Sequence, residues 1–146
     1  MIYENEIIIL IDNDYLKVTF HPVKKYLKIE WKEAVKNITT QEAIEYSRKA
    51  FRQIEKNHPK YILQDVSKVK FAYTPEYISW VVNELTPRLP DFGVRKIVYV
   101  TSNDVMTKIG LELLNSLAQE KTDSVVKRKL TTSVKQGEMW LFKYED

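Results

Sequence analysis

Side chains able to hold or move a proton gather in two stretches of this chain. Asp65, Ser67, Tyr73 and Thr74 lie in Asp65–Thr74, and Ser102, Asn103 and Asp104 lie in Thr101–Asp104. Together they offer hydroxyls and carboxylates, but no histidine to activate a nucleophile. The two histidines fall elsewhere: His21 in a turn, His58 just before Pro59 at a helix end. A Ser-His-Asp set is combinatorially available with either, yet both read better as a turn residue and a helix C-terminal cation. Asp12 and Asp14 read as turn residues. Asp65 and Asp104 could approach across the crest of a sheet, although for Asp65 the capping of a loop N–H is favoured over acid–base work. The chain has no cysteine and three glycines, Gly93, Gly110 and Gly137. That removes disulfides, thiol nucleophiles, zinc ribbons and iron–sulfur sites, and leaves no way to write a phosphate-cradling glycine loop. No calcium loop or histidine cluster is present, so neither a metal nor a cofactor is expected.

Composition places these residues in one folded domain spanning 1–146. A chain of 146 residues with 44% apolar side chains buries roughly 70% of its unfolded surface without a metal or crosslink. The net charge of +3, from 23 basic and 20 acidic groups, is dispersed, and no nucleic-acid partner is expected from it. The densest basic run, Lys127-Arg128-Lys129, suits either an anionic membrane surface or phosphate, or the solvated end of a strand. The N-terminus lacks a basic n-region, and no stretch approaches the roughly 20 apolar residues of a membrane span. A cytoplasmic protein is the expectation.

The elements that must carry the two stretches follow from periodicity. Ile7–Ile11 is an apolar run, Asp12-Asn13-Asp14 a turn, and Tyr15–Phe20 and Tyr26–Trp31 alternate, which predicts a three-strand meander with one buried face. Thr39-Thr40-Gln41-Glu42 fits a capping box before a helix with Ile44, Ala50, Phe51 and Ile54 on its core stripe. Tyr61–Val66 is a short strand. Thr74-Pro75-Glu76 opens a second helix with Ile78, Val81, Val82, Leu85 and Leu89 inward, kinked or ended by Pro87. Ile97–Val100 reads as a parallel strand buried on both faces. Asn103-Asp104 caps a helix carrying Met106, Ile109, Leu113 and Leu117. Ser124–Thr131 is a polar edge strand, and Ser133 caps a last helix that buries Met139, Trp140 and Tyr144. The order predicts an α/β domain in which a mixed sheet begins as an antiparallel meander and continues in β-α units. In such folds ligands collect beyond the carboxyl ends of parallel strands, where the two polar stretches lie.

The second helix adds aromatics. Trp80 points about 150° away from the core stripe, with Tyr77 at the flank. It either packs beneath a neighbouring element or faces a partner or ligand.

The string Asp65-Val66-Ser67-Lys68-Val69-Lys70-Phe71 resembles the D-[LV]-S-x-V-x-F segment of STAS domains. The wider pattern is similar to the SpoIIAA-like (STAS/SEC14-like) family of small bacterial proteins. It runs from Tyr26-Leu27-Lys28-Ile29-Glu30-Trp31-Lys32 through Ile62-Leu63-Gln64-Asp65 and Thr74-Pro75-Glu76 to Trp80, Pro87-Arg88 and Gly93-Val94-Arg95-Lys96-Ile97. It covers residues 15–143. The resemblance implies an α/β fold and a non-catalytic regulatory or binding role, with lipophilic ligands suggested for some relatives. In antagonist relatives the strand is followed by D-S-S-G, whose second serine is phosphorylated. Here those positions read Tyr73-Thr74-Pro75-Glu76, with proline at the acceptor position. Thr74 then reads as a helix cap rather than a phosphorylation site.

The expectation is a binding module for a protein partner or small lipophilic ligand, through Asp65, Ser67, Tyr73, Thr74, Tyr77, Trp80, Asn103 and Asp104. A homodimer is compatible with it. The alternatives are a small hydrolase-type enzyme using hydroxyls and carboxylates at the sheet crest, or weak binding of an anionic membrane surface.

Overall fold

In the computed structural model, which describes residues 6–122 and 125–143, six strands form one sheet in chain order. They are β1 (Ile8–Asp12), β2 (Leu16–His21), β3 (Tyr26–Trp31), β4 (Tyr61–Asp65), β5 (Lys96–Val100) and β6 (Lys127–Thr131). The first two pairings are antiparallel and the last three parallel. The helices are α1 (Thr40–Asn57), α2 (Pro75–Trp80), α3 (Val105–Thr122) and α4 (Val134–Phe142). The α/β architecture, with a meander leading into β-α units, is as the sequence predicts.

Strand order decides where the helices go. Parallel connections share one hand, so when each new strand adds on the same side, successive crossovers fall on the same face. The buried side chains of α1, α2 and α3 accordingly join one core with Leu16, Val18, Leu27, Ile29, Ile62 and Ile97. On the other face α4 contributes Leu141 to a smaller core with Tyr26, Leu63, Val98 and Val100. This corrects the expectation that the meander buries a single face. Tyr26 is buried beneath α4, and its phenol donates to Glu138 Oε2 at 2.9 Å. Burial, then the Glu138 charge, pushes the Tyr26 pKa up and keeps the donor protonated.

Local capping chemistry sets the helix starts. Thr39 Oγ1 accepts from the Glu42 N–H at 3.1 Å while Glu42 Oε1 accepts from the Thr39 N–H at 2.9 Å, a complete capping box. Thr74 Oγ1 accepts from the Tyr77 N–H at 3.2 Å with Pro75 at the first helical position. Ser133 Oγ accepts from Gln136 N–H at 3.1 Å. In the β1–β2 turn Asn13 Oδ1 accepts from the N–H groups of Tyr15 and Leu16 at 2.8 and 3.1 Å.

Two helices bury different residues from those expected. On α3, Met106, Ile109 and Leu113 are exposed and Leu117 half-buried, while Thr107, Leu111, Leu114 and Ala118 face the core. The helix has apolar side chains on two faces about 125° apart, and periodicity does not choose between them. Hydrogen bonding does: Thr107 Oγ1 accepts from the Phe71 N–H at 2.9 Å, turning that face inward. On α4, Met139 is exposed and Trp140 half-buried. Gly137 and Leu141 are the buried pair. A Cβ on Gly137 would stand 3.1 Å from Leu63 Cδ1 and 3.3 Å from Val98 Cγ1, so the missing side chain lets α4 lie close to the sheet. Tyr144 and Ser124 lie outside the described residues.

The two outer strands are defended differently. A register shift between Ile9 and Ile11 breaks the regular ladder of β1, and β6 carries Lys127 and Lys129 on its exposed side.

His21, at the end of β2, stacks on Tyr26 with ring centroids 5.2 Å apart. Partial burial, followed by the Lys24 charge, lowers its pKa against an opposing pull from Glu138. The unfolded chain therefore takes up this proton first as pH falls. The His21 contribution to stability should be full above the usual imidazole pKa of about 6.5 and decline as pH drops through the interval down to the folded value. Urea midpoints measured between about pH 8 and pH 5 should fall with a smaller slope in His21→Gln than in wild type. Identical slopes would show that the imidazole is not felt by the fold.

Candidate functional site

A cavity of about 80 Å³ lies between the sheet and α1, α2 and α3. Its floor follows from strand alternation. Ile29, Ile62, Gln64, Ile97 and Tyr99 project from β3, β4 and β5 on the same face, and Trp31 stands at the end of β3. Ala43, Ser47, Ala50, Phe51 and Ile54 of α1 form one wall, and Leu111 and Leu114 of α3 another. The loop after β4 supplies Val66, Val69, Phe71 and Tyr73.

The remaining wall depends on an irregular helix. After Trp80 the backbone widens into a π-helical stretch, Val81–Leu85, and then tightens to 3₁₀ over Thr86–Phe92. Pro87 has no N–H to continue the α ladder. Thr86 Oγ1 donates instead to the Val81 carbonyl five residues back, at 2.9 Å. This is the interruption expected at Pro87, begun six residues before it. Its effect is to place Val81, Leu85 and Leu89 against the cavity together.

The polar atoms among these walls are largely paired with one another. Trp31 Nε1–H donates to Gln64 Oε1 at 3.0 Å, and Gln64 Nε2 reaches Tyr99 Oη at 3.4 Å. Ser47 Oγ and Tyr77 Oη are 2.7 Å apart. Burial raises the Tyr77 phenol to about 12, with the Ser47 hydrogen bond pulling the other way. Burial also puts Tyr73 well above the usual phenol value. Both rings therefore present neutral O–H groups at neutral pH, and neither can serve as a phenolate base there.

The eight residues singled out in the sequence separate into three groups. Tyr73 and Tyr77 line the cavity. Four others hold their own loops. Asp65 Oδ1 accepts from the N–H and Oγ of Ser67 at 2.9 and 2.6 Å, Thr74 caps α2, and Asp104 Oδ2 accepts from the N–H and Oγ1 of Thr107 at 3.0 and 2.7 Å. The Thr107 bonds hold the Asp104 carboxyl below its ordinary value. Asn103 is exposed. Trp80 is half-buried, 6.4 Å from the Tyr77 ring, with the Arg48 guanidinium of α1 5.4 Å from its own ring centre. It thus ends an aromatic chain running Phe71, Tyr73, Tyr77, Trp80 from the cavity wall towards α1.

The crest of the sheet is therefore occupied by caps and turns, and the space lies below it. The cause is again strand order. A crevice opens where neighbouring connections diverge to opposite faces, and here the connections carrying α1, α2 and α3 stay on one face. Ser102 Oγ donates to the Val69 carbonyl at 2.7 Å, tying the two crest loops together. Of Asp65, Tyr73, Thr74 and Asp104, the groups available to a hydrolytic site, Tyr73 alone lines the cavity.

Gln64, Tyr99 and Ser47, not singled out in the sequence, also line it, and so does Arg128, read there only as part of a basic run. A signal existed for three of them. Counting in twos from Ile62, Ile97 and Leu130 places Gln64, Tyr99 and Arg128 on the inward face. Among the described residues, no group of three or more histidine, aspartate or glutamate side chains is arranged to hold a metal, and no helix is long and apolar enough to cross a membrane. No family model, curated protein or solved structure matches the chain.

Proposed function

We propose that this chain is a non-catalytic binding module of the SpoIIAA-like kind, and that its ligand is a small apolar molecule held between the sheet and α1–α3. The observation that carries the reading is the cavity itself, walled by aliphatic and aromatic side chains and reached by neutral phenols. Concave apolar space with a few fixed hydrogen-bonding groups is the usual form of a small-molecule site. Size restricts the ligand. A cavity of about 80 Å³ is near half the roughly 150 Å³ that accepts benzene in an engineered core. That favours a short molecule, no longer than a five-carbon chain, over a long acyl chain. The lipophilic ligands implied by the family resemblance agree in polarity. Trp80 packed on Arg48 and Tyr77 favours a second packing layer over a free partner surface at that residue.

Filling the space tests the proposal. Ala50 lines the cavity from α1, and Ala50→Leu should occupy it. Wild type titrated with pentan-1-ol should show saturable changes in amide chemical shifts at the lining residues. Ala50→Leu should lose them while gaining about 0.5–2 kcal/mol in stability, as cavity-filling changes do. Absence of saturable binding in wild type, or equal binding by a stably folded Ala50→Leu, would remove the reading.

A further inference from the structure

Strand register aligns one row of side chains across the inner face of the sheet: Phe20 and Leu27 across an antiparallel pair, then Ile62, Ile97 and Arg128 across parallel ones. The first four are buried apolar residues. The row therefore ends in a guanidinium where periodicity would place another aliphatic group. Lys127 and Lys129, its neighbours on β6, are exposed on the opposite face, while Arg128 is half-buried and lines the cavity. The run Lys127-Arg128-Lys129 is thus divided by strand alternation into two solvent-facing ammonium groups and one inward cation.

Arg128 is also incompletely satisfied. Its Nε is buried with no hydrogen-bond partner among the described residues, and no carboxylate among them forms an ion pair with it. A buried guanidinium donor without an acceptor is costly, and a ligand oxygen that supplies one recovers that cost on binding. The planar fork of arginine matches a carboxylate, whose two oxygens can each accept. Arg128 is the single charged residue among the described residues lining the cavity. One cation in an apolar cavity balances a monoanion and leaves a dianionic phosphate half-compensated.

Resting on the proposed function, we infer that the ligand is a short-chain monocarboxylate, its tail in the apolar cavity and its carboxylate on Arg128. Arg128 sets the sign of the ligand's charge, and the cavity sets its length.

The test compares pentanoate with pentan-1-ol and with inorganic phosphate, in wild type and Arg128→Met, at fixed ionic strength near neutral pH. Dissociation constants come from amide shifts in NMR titrations. Wild type should bind pentanoate at least about tenfold more tightly than pentan-1-ol. Arg128→Met should bind the two equally, and phosphate should not compete for the site. Alcohol binding with no preference for the acid overturns this inference and leaves the apolar site standing. Binding of neither overturns both. Tight phosphate binding that displaces pentanoate, or an acid preference kept in Arg128→Met, also overturns it. Should Arg128→Met not fold, the wild-type preference measured at low and high salt carries the test, because a preference due to one ion pair must shrink as salt rises.

Discussion

Replacing Lys96 by methionine should cost the fold about 1.5–3 kcal/mol, the range for losing hydrogen bonds to a charged group. Lys96 opens β5 on the face covered by α4 and is 2% exposed. Its ammonium donates to the carbonyls of Trp140 and Leu141 at 3.3 and 3.4 Å and lies 5.2 Å from the Trp140 ring centre. Those carbonyls belong to the last turn of α4, where backbone acceptors are left over and the helix dipole favours positive charge. Methionine keeps much of the stem's volume and flexibility, so the loss reports the charge rather than packing. Lys96→Ala should lose more, since it adds an unfilled space. Urea denaturation of the two variants beside wild type measures both terms. Desolvation works in the opposite direction. A methionine variant as stable as wild type would mean that burying the ammonium costs as much as its bonds return.

Gly110→Ala should destabilise by about 1–3 kcal/mol, the usual cost of overpacking. In an exposed helix interior the same change would gain about 1 kcal/mol. The sign reverses because a Cβ at Gly110 would stand 2.6 Å from Tyr73 Cβ and 2.9 Å from its Cγ and Cδ2. The nearest atom adjoins the Tyr73 backbone, so a rotamer change of the ring does not clear it. Either α3 moves outward or the loop after β4 moves. The Thr107 bond to the Phe71 N–H resists both. Because Tyr73 is a wall of the cavity, the substitution should also weaken pentan-1-ol binding, measured by the same titration. A gain in stability near 1 kcal/mol would show that the loop yields freely.

Much of this architecture was legible in the residues because it is decided locally. A Thr or Ser oxygen within reach of an N–H three positions on is enough to start a helix, so Thr39, Thr74 and Ser133 were readable as caps. Alternation alone set the strands from Leu16 to Trp31. The inward face of α3 was not readable. Met106, Ile109 and Leu113 make as apolar a stripe as Leu111, Leu114 and Ala118, and the choice rests on one hydrogen bond to Phe71 and on the small size of Gly110, both tertiary facts. The sequence points to the crest residues, but most of them are caps. Ser, Thr, Asp and Asn are the residues that satisfy loop backbones as well as those that meet ligands, and type alone does not separate the two. Arg128 stands in a basic run, where the sequence shows its charge. Its direction followed from the parity of β6, which required knowing where that strand begins.

The sequential strand order has a consequence for assembly. Each pairing joins segments consecutive among the strands, so each closes the shortest loop that its connection allows. The two antiparallel pairings come first, through tight turns, and require no other part of the chain. They present β3 as an edge on which β4 can dock after α1, and β4 then does the same for β5, and β5 for β6. No strand must be inserted between two that have already paired. Growth from the N-terminal meander thus keeps contacts near in sequence and limits the entropy lost at each step, the property associated with fast folding for a given size. Growth in that direction would lay down the floor at Ile29 and Gln64 before Tyr99 and add Arg128 with the final strand.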